Sequence, residues 1–212
     1  MATVTGHFPT HTDSRLLKTI RSLGFLSMEN GPWAAGGAVR RLLCDEMLGG
    51  ADIDIFLSSQ PQATCQPTRV EAAITGRGDC IEKQTPYRGV TDFKLCGPPK
   101  GPPFTRVQMI TNRTFASAAA LIDDFDLTVC MAVTDGWSWM VDQRFLDHTK
   151  EKKLVVNNAE QRGNNPKRIA KYCLYGFMPL PGTFGTLIGL HNGTLLKKLE
   201  NNDGMLSNAP NY

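Results

Sequence analysis

The chain has 212 residues, of which 41% are hydrophobic and 20% are charged, and its formal net charge is +3. This length fits one domain with at most a short appendage, and the composition allows a hydrophobic core and excludes a disordered chain. No run of about 18 apolar residues occurs, so neither a transmembrane helix nor a membrane partner is expected. The polar stretch 1–9 lacks the basic-then-apolar layout of a secretion signal.

The six cysteines are scattered along the chain without a C-x-x-C pair, which argues against a structural zinc site and indicates reduced thiols. Of the four histidines, only His7 and His11 lie at a spacing that suits metal ligands, and we expect the terminus that carries them to be mobile. Together with the missing secretion signal, the reduced thiols predict a cytoplasmic protein. The sequence leaves the oligomeric state open.

The first quarter of the chain predicts two helices, each followed by a short strand. Leucine and isoleucine recur at helical spacing, glycine and proline end the helices, and apolar and acidic residues alternate in the last strand. In chain order, the predicted elements are a helix over 16–26, a strand over 33–35, a helix over 38–48 and a strand over 53–56. The first strand leads into Gly36-Gly37.

The remainder of the chain predicts a longer series of strands and helices. Loops are expected over 58–68 and over the proline- and glycine-rich stretch 96–103, and Asp135-Gly136 predicts a hairpin turn. In chain order, the predicted elements are a helix over 67–74, strands over 80–83, 90–95 and 106–110, a helix over 115–122, a strand over 126–133 and a helix over 167–177. We divide the chain into a main unit over 1–150 and a helical segment with a tail over 151–212.

Two glycines and two aspartates are candidate functional residues of the sequence. Gly36-Gly37 at a strand-to-helix turn leaves the backbone bare, so that a phosphate can approach the first amides of the helix. Asp52 and Asp54 project from the same face of one strand, and two such carboxylates repel each other unless a cation lies between them. Taken singly, the glycines fit a plain turn and the acids fit an exposed strand edge. Together they indicate a phosphate cradle beside a Mg²⁺ site, the two halves of a phosphoryl-transfer centre.

These motifs resemble those of a known superfamily. Gly-Gly-Ala-Val-Arg at 36–40, followed by a helix and by Asp-Ile-Asp at 52–54, is similar to the G-G-x-V-R-D and D-x-D motifs of DNA polymerase beta nucleotidyltransferases. Within that superfamily it resembles the head domain of CCA-adding enzymes and bacterial poly(A) polymerases. The resemblance implies that the glycine pair holds the triphosphate and that Asp52 and Asp54 bind two Mg²⁺ ions, for which Mn²⁺ can substitute. Arg41 stands where the family usually has an acidic residue.

Two further stretches are similar to the same family. Residues 124–132 resemble its D-F-T-I-N-A segment, and residues 165–172 resemble its D-P-x-R-I-L-R-A helix, whose basic residues face the incoming nucleotide. The resemblance therefore implies nucleotide contacts from four basic residues, namely Arg40, Lys167, Arg168 and Lys171. For the three residues of the later helix, a solvated helix face is the alternative.

The family's third catalytic carboxylate has no obvious counterpart. It lies on the strand after the D-x-D hairpin, where residues 106–110 of this chain include no acid. Asp126, Asp124 and Asp92 are the candidates to replace it as catalytic residue and metal ligand. We favour Asp126, which begins an apolar strand, because acids are rarely buried for stability alone. The alternative is that Asp126 caps the turn after the preceding helix.

The resemblance implies an α/β (α+β) fold with a mixed, mostly antiparallel sheet, helices on one face and a helical C-terminal portion. The implied function is metal-dependent transfer of a nucleoside monophosphate from a nucleoside triphosphate to an acceptor hydroxyl, most simply an RNA (tRNA) 3′ end. A small-molecule or protein acceptor is the alternative, because this chain lacks the body and tail with which CCA-adding enzymes hold tRNA. A third alternative, supported by Gln108 on the acid-free strand, is an inactive nucleotide- or RNA-binding module.

Overall fold

The computed structural model describes residues 2–11, 14–44, 52–75, 80–87, 89–96, 106–158 and 166–180. In chain order, the elements are β1 (Thr3–His7), α1 (Arg15–Ser22), β2 (Trp33–Ala35), α2 (Gly37–Leu43), β3 (Asp52–Leu57), α3 (Gln60–Thr75), β4 (Cys80–Tyr87), β5 (Val90–Cys96), β6 (Arg106–Thr114), α4 (Ala118–Asp124), a 3-10 turn (Thr128–Cys130), β7 (Ala132–Thr134), β8 (Ser138–Asp142), α5 (Gln143–Lys150), β9 (Lys153–Leu154), α6 (Pro166–Leu174) and β10 (Met178–Pro179). Among these helices, none has an apolar stretch long enough to cross a bilayer.

Eight strands form one sheet in the order β1-β8-β7-β2-β3-β6-β5-β4, and β9 and β10 form a short parallel pair. Within the large sheet, neighbouring strands run antiparallel except for β3 and β6, which run parallel. The predicted mixed, mostly antiparallel α/β fold is therefore confirmed. The hairpin predicted at Asp135-Gly136 joins β7 to β8.

Helices pack on both faces of the sheet, and the contacts of the central strand β3 show this. Its residues Ile53, Ile55 and Leu57 share one hydrophobic cluster with side chains of α1 and α3. Phe56 points the other way and packs against a second cluster, which contains side chains of α4 and α5. Helices were expected on one face of the sheet. Helices α1 and α3 lie on one face, and α4 and α5 pack on the opposite face.

The segment 58–68, predicted as a loop, is helical from Gln60 onward. The N–H of Ser58 donates to Oε1 of Gln62 at 2.9 Å, and this hydrogen bond stabilises the start of α3. Further along, Val70 and Ile74 are fully buried against the sheet. Burial of this face stabilises a helix whose polar first half does not predict one, and Pro67 is accommodated inside it.

The strand predicted over 126–133 is wrong for most of its length. Residues 128–130 form the 3-10 turn, and only β7 joins the sheet. The N–H of Leu127 donates to the carboxylate of Asp126 at 2.9 Å, and the N–H of Thr128 donates to the carbonyl of Val155 at 3.0 Å. The apolar side chains here pack against α6 in a third cluster, so their burial does not come from strand pairing.

The N-terminal segment also differs from expectation. Instead of being mobile, residues 3–7 form β1, which pairs antiparallel with β8 at the edge of the sheet. His7 Nδ1 hydrogen-bonds to Oγ of Ser138 at 3.0 Å, so this histidine takes part in strand packing. The predicted end of the second helix (45–48), most of the loop 96–103 and the tail beyond 180 lie outside the described residues.

Candidate functional site

Gly36 forms the turn between β2 and α2. Its φ of +75° lies in the region that favours glycine. Its N–H donates to the carbonyl of Ala132 on β7 at 2.9 Å, and its own carbonyl accepts from the N–H of Arg40 at 3.1 Å. A Cβ atom at this position would lie 3.5 Å from the ring of Phe125. The structure thus contains the strand-to-helix turn that the glycine pair predicts.

Asp52 and Asp54 lie on the same face of β3, and buried isoleucines alternate with them on the other face. Asp52 is exposed and Asp54 is half-buried. Strand pairing sets Asp54 opposite Ala35, the residue that precedes the Gly36 turn. Antiparallel pairing of β2 with β3 therefore brings the glycine turn and both carboxylates to the same end of the two strands.

The electrostatics at Asp54 favour a bound cation. Burial, and to a smaller extent repulsion from Asp52, together raise the pKa of the Asp54 carboxyl to about 7. The positive charges of Arg168 and Lys171 oppose this shift of the pKa. A divalent cation between the two carboxylates would remove their mutual repulsion.

An open cleft of about 630 Å³ lies over these carboxylates, and we name it the Lys171 cleft. Its basic lining residues are Arg40, Arg41, Arg168 and Lys171. Against these four cations, the described residues of its lining include two acids, Asp52 and Asp54. The excess of positive charge suits a polyanionic ligand such as a triphosphate.

A second cleft of about 560 Å³ adjoins the first, and we name it the Phe125 cleft. It shares Gly37, Asp54 and Arg168 with the Lys171 cleft. The side chains found only in this second cleft are those of Phe56, Arg113, Leu121, Asp124, Phe125 and Asp126. Sequence reasoning did not anticipate this cleft, because its walls come from β3, β6, α4 and α6.

Asp126 is 4% exposed, and its carboxylate contacts α6. Its Oδ2 atom lies 2.9 Å from Nε of Arg168, and its Oδ1 atom accepts the N–H of Leu127. Burial raises the pKa of the Asp126 carboxyl, while the charge of Arg168 lowers it. The guanidinium of Arg168 also donates to Sγ of Cys130 at 3.3 Å. The role of Asp126 as a metal ligand stays a prediction, and the structure gives it Arg168 as partner.

Arg40 is buried in a cage of aromatic rings. Its guanidinium carbon lies 4.9 Å from the ring centre of Tyr172, 5.2 Å from that of Phe177 and 5.5 Å from that of Tyr175. The neighbouring Arg41 donates to the hydroxyl of Tyr175 at 3.2 Å, a contact that an acid at this position would not make in the same way. The spacing of the two tyrosines on and just after α6 was the available sequence signal for this cage.

The remaining predicted residues have other surroundings. Asp124 pairs with Arg113 at 2.5 Å, and Asp92 pairs with Arg106 at 3.2 Å. Of these two acids, Asp124 lines a cleft together with Asp54. The side chain of Lys167 lies outside the described part of the structure.

The donor atoms near Asp54 fit an oxygen-ligated divalent cation. Within the described ranges, no three His, Cys, Asp or Glu side chains come together as a metal-binding group. Mg²⁺ is commonly held by one or two carboxylates together with substrate phosphate oxygens, so a three-acid group is not required for it. Asp52 and Asp54 meet this description, since they lie on one face beside a cationic cleft.

The comparison that decides the family is a sequence match over two thirds of the chain. Residues 12–152 match the profile of the Gabija anti-defense 2 family protein. The chain belongs to this family. The matched range in this Gabija anti-defense 2 family member includes the glycine turn, both carboxylates of β3 and Asp126. No curated protein sequence matches the chain.

Solved structures of similar fold include CCA-adding enzymes and a tRNA nucleotidyltransferase. A CCA-adding enzyme in complex with ATP has a TM-score of 0.56 at 16% identity, covering 86% of this chain and 43% of that one. The Thermotoga maritima CCA-adding enzyme complexed with tRNA has a TM-score of 0.55 at 16% identity, with coverages of 89% and 45%. A tRNA nucleotidyltransferase complexed with a primer tRNA and an ATP analogue has a TM-score of 0.51 at 16% identity, with coverages of 86% and 52%.

The chain therefore spans about half the length of these structures. The likeness confirms the nucleotidyltransferase-like fold that the sequence resemblance implies. The family assignment, in contrast, is to the Gabija anti-defense 2 proteins, which the sequence resemblance did not name.

Proposed function

We propose that this family member is a metal-dependent nucleotidyltransferase, which moves a nucleoside monophosphate from a nucleoside triphosphate to an acceptor hydroxyl and releases pyrophosphate. The observation that carries the proposal is the position of Asp52 and Asp54 beside the Gly36 turn in a cleft with four basic side chains. Phosphoryl transfer depends mainly on positioning and on neutralising charge at the phosphate oxygens. The described residues offer both at one place.

Residues in and beside the Lys171 cleft have separate roles in binding the triphosphate. Gly37 lines this cleft and offers bare backbone, because a Cβ there would meet only the Tyr172 hydroxyl, at 4.0 Å. Gly36, the preceding residue of the same turn, lines the adjoining Phe125 cleft and offers its backbone from that side. Arg168 and Lys171 supply positive charge from α6. Arg40 contributes from its aromatic cage, and Lys167 is assigned from the sequence alone.

Asp52 and Asp54 would hold Mg²⁺, or Mn²⁺ in its place. When bound, the cation neutralises phosphate oxygens and lowers the pKa of the acceptor hydroxyl. We propose Asp126 as the third catalytic carboxylate and metal ligand, since its side chain and that of Asp54 line the same cleft. Asp124 lines this cleft too and remains the alternative.

We further propose an RNA 3′ end, in the first place that of tRNA, as the acceptor in the cytoplasm. Support comes from the fold shared with enzymes whose structures contain tRNA. The family description names an anti-defense role against Gabija, and nucleotide transfer is the chemistry that we propose for that role.

A binding protein without catalysis is the second candidate. The observation that favours it is the pairing of Asp54 with Gln108 on β6, the neighbouring strand on which the resemblance places a third acid. An amide in place of a carboxylate keeps the oxygen ligand and removes a negative charge, which weakens cation binding. Such a protein would bind nucleotide without turnover.

The deciding experiment incubates the purified chain with each α-labelled nucleoside triphosphate, Mg²⁺ and total tRNA. A labelled RNA band is the expected result, and it requires Mg²⁺ or Mn²⁺. Label in a small product or in protein would show that the acceptor is a small molecule or a protein and not RNA. Bound nucleotide with no labelled product would show that the protein binds nucleotide without catalysis. Asp54→Asn is the negative control, and Asp123→Asn is the matched variant, since Asp123 is an exposed acid of α4 outside both clefts.

A further inference from the structure

The two clefts share Gly37, Asp54 and Arg168 but differ in the sign of their net charge. In the Lys171 cleft, four basic side chains face two carboxylates. In the Phe125 cleft, Arg113 and Arg168 face three carboxylates, those of Asp54, Asp124 and Asp126. The first cleft thus attracts a polyanion, whereas the second, in which both arginines pair with carboxylates, does not.

The Phe125 cleft also has an aromatic wall. Phe125 and Phe56 meet edge to face, with their ring centres 5.8 Å apart, and Cε1 and Cζ of Phe125 lie near the Gly36 turn. Leu121 adds apolar surface, and the Arg113–Asp124 ion pair lines the same cleft. An open cleft whose described lining has an aromatic wall and no excess of cations suits an uncharged, ring-bearing group.

We propose that the Phe125 cleft is the acceptor subsite, which takes the terminal nucleoside of an RNA with its base against Phe125 and its 3′-hydroxyl toward Asp54 and Arg168. This inference rests on the proposed function and deepens it. The terminal nucleoside enters the cleft, and the backbone phosphates of the RNA stay outside, since three carboxylates line the interior.

The placement of the clefts matches the geometry of the reaction. In-line displacement requires the attacking hydroxyl and the departing pyrophosphate to lie on opposite sides of the α-phosphorus. Asp54, Arg168 and Gly37 line both clefts, so the α-phosphorus lies at their junction. The hydroxyl oxygen forms a bond to the α-phosphorus, the bond to the bridging oxygen breaks, pyrophosphate leaves with that electron pair, and the hydroxyl proton passes to solvent.

A pair of variants separates the two clefts kinetically. Phe125→Leu keeps an apolar side chain and removes the ring, so we expect KM for RNA to rise about tenfold while KM for the nucleoside triphosphate stays nearly constant. Lys171→Gln should show the reverse pattern. Trp137→Leu, at an exposed aromatic residue outside both clefts, is the matched control and should change neither KM. Equal changes in both KM values for Phe125→Leu would overturn the acceptor subsite.

A cross-linking experiment tests the subsite without turnover. RNA with a 3′-terminal 4-thiouridine should cross-link within residues 114–144, the tryptic peptide that contains Phe125, and Phe125→Leu should reduce this product. An azido-ATP probe should label peptides of α6 instead. Cross-linking of the RNA end to other peptides would overturn the subsite even if transfer occurs. If no transfer occurs but the RNA end cross-links within 114–144, the proposed function fails and the subsite stands as a binding site.

Discussion

Arg168 on α6 and the buried Asp126 after α4 form an ion pair, with 2.9 Å between Nε of the arginine and Oδ2 of the aspartate. The same arginine lines both clefts. Because Asp126 is almost fully buried and is held by the N–H of Leu127, it fixes the guanidinium at the junction of the clefts. Helix α6 thereby contributes to the same site as β2 and β3.

Replacing Asp126 by Asn should lower the rate of nucleotide transfer by about 100-fold or more, because either a metal ligand or the partner of Arg168 is lost. A titration with Mg²⁺ distinguishes the two roles. A higher Mg²⁺ requirement is expected for the proposed metal ligand, whereas a raised KM for nucleotide at unchanged Mg²⁺ requirement would reassign Asp126 to positioning Arg168. Transfer at the wild-type rate would contradict both roles.

Asp54→Asn should abolish transfer and leave the fold intact. The substitution removes one of the two carboxylates proposed to bind Mg²⁺, and it also removes a carboxyl whose pKa is raised to about 7 by burial and by Asp52. Because the pKa is raised in the folded state, the wild type loses stability as the pH rises from the usual 3.8 to about 7, and the full loss is present at pH 8. The variant lacks this loss and should therefore unfold at a slightly higher temperature at pH 8. Circular dichroism melts and the labelled-nucleotide assay measure the two effects. A folded Asp54→Asn protein with full activity would remove this site from consideration.

The two glycines of the turn should respond differently to alanine. Gly36→Ala should lower the free energy of unfolding by about 1–3 kcal/mol, since its φ of +75° strains any residue with a Cβ. Gly37→Ala should fold normally, because it is helical and a Cβ there meets only the hydroxyl of Tyr172 at 4.0 Å. If the bare backbone serves the triphosphate, Gly37→Ala should weaken nucleotide binding, as measured by calorimetry. Equal nucleotide affinity in Gly37→Ala and the wild type would argue against the phosphate cradle.

The stability of the fold should fall in mildly acidic solution, in part through His148. Burial lowers the pKa of His148 below its usual 6.5, and its Nδ1 atom hydrogen-bonds to Oγ1 of Thr128 at 2.8 Å. The folded state therefore favours the neutral ring, so this contribution is complete above pH 6.5 and is lost as the pH falls through the lowered pKa. Comparing denaturant unfolding of the wild type and His148→Gln between pH 7.5 and about 5 tests this. If the free energy of unfolding changed equally with pH in both proteins, His148 would not contribute to the loss of stability in acid.

The local features of the site were readable from the sequence. A glycine pair between a strand and a helix predicts the Gly36 turn, and i, i+2 spacing places Asp52 and Asp54 on one strand face. Both depend on neighbouring residues along the chain. The sequence also predicts that the turn and the carboxylates lie side by side, and the antiparallel pairing of β2 with β3, which it does not specify, is the contact that brings them together.

The errors have a common physical origin in tertiary burial. The segment 126–133 reads as a strand because it is apolar, yet its side chains are buried by α6 and the 3-10 turn. The polar first half of α3 reads as a loop, yet its second half packs under the sheet. Periodicity reports that a residue is buried without identifying what buries it.

By itself, the sequence determined the Gly36 turn, the carboxylate pair and the class of fold, because each follows from local backbone geometry or from a short motif. Only the tertiary structure decided that Asp126 contacts Arg168, that three rings surround Arg40 and that a second cleft forms beside Phe125. These contacts join residues far apart in the chain. Their geometry depends on how α4 and α6 pack on the sheet, which no spacing of residues along the sequence specifies.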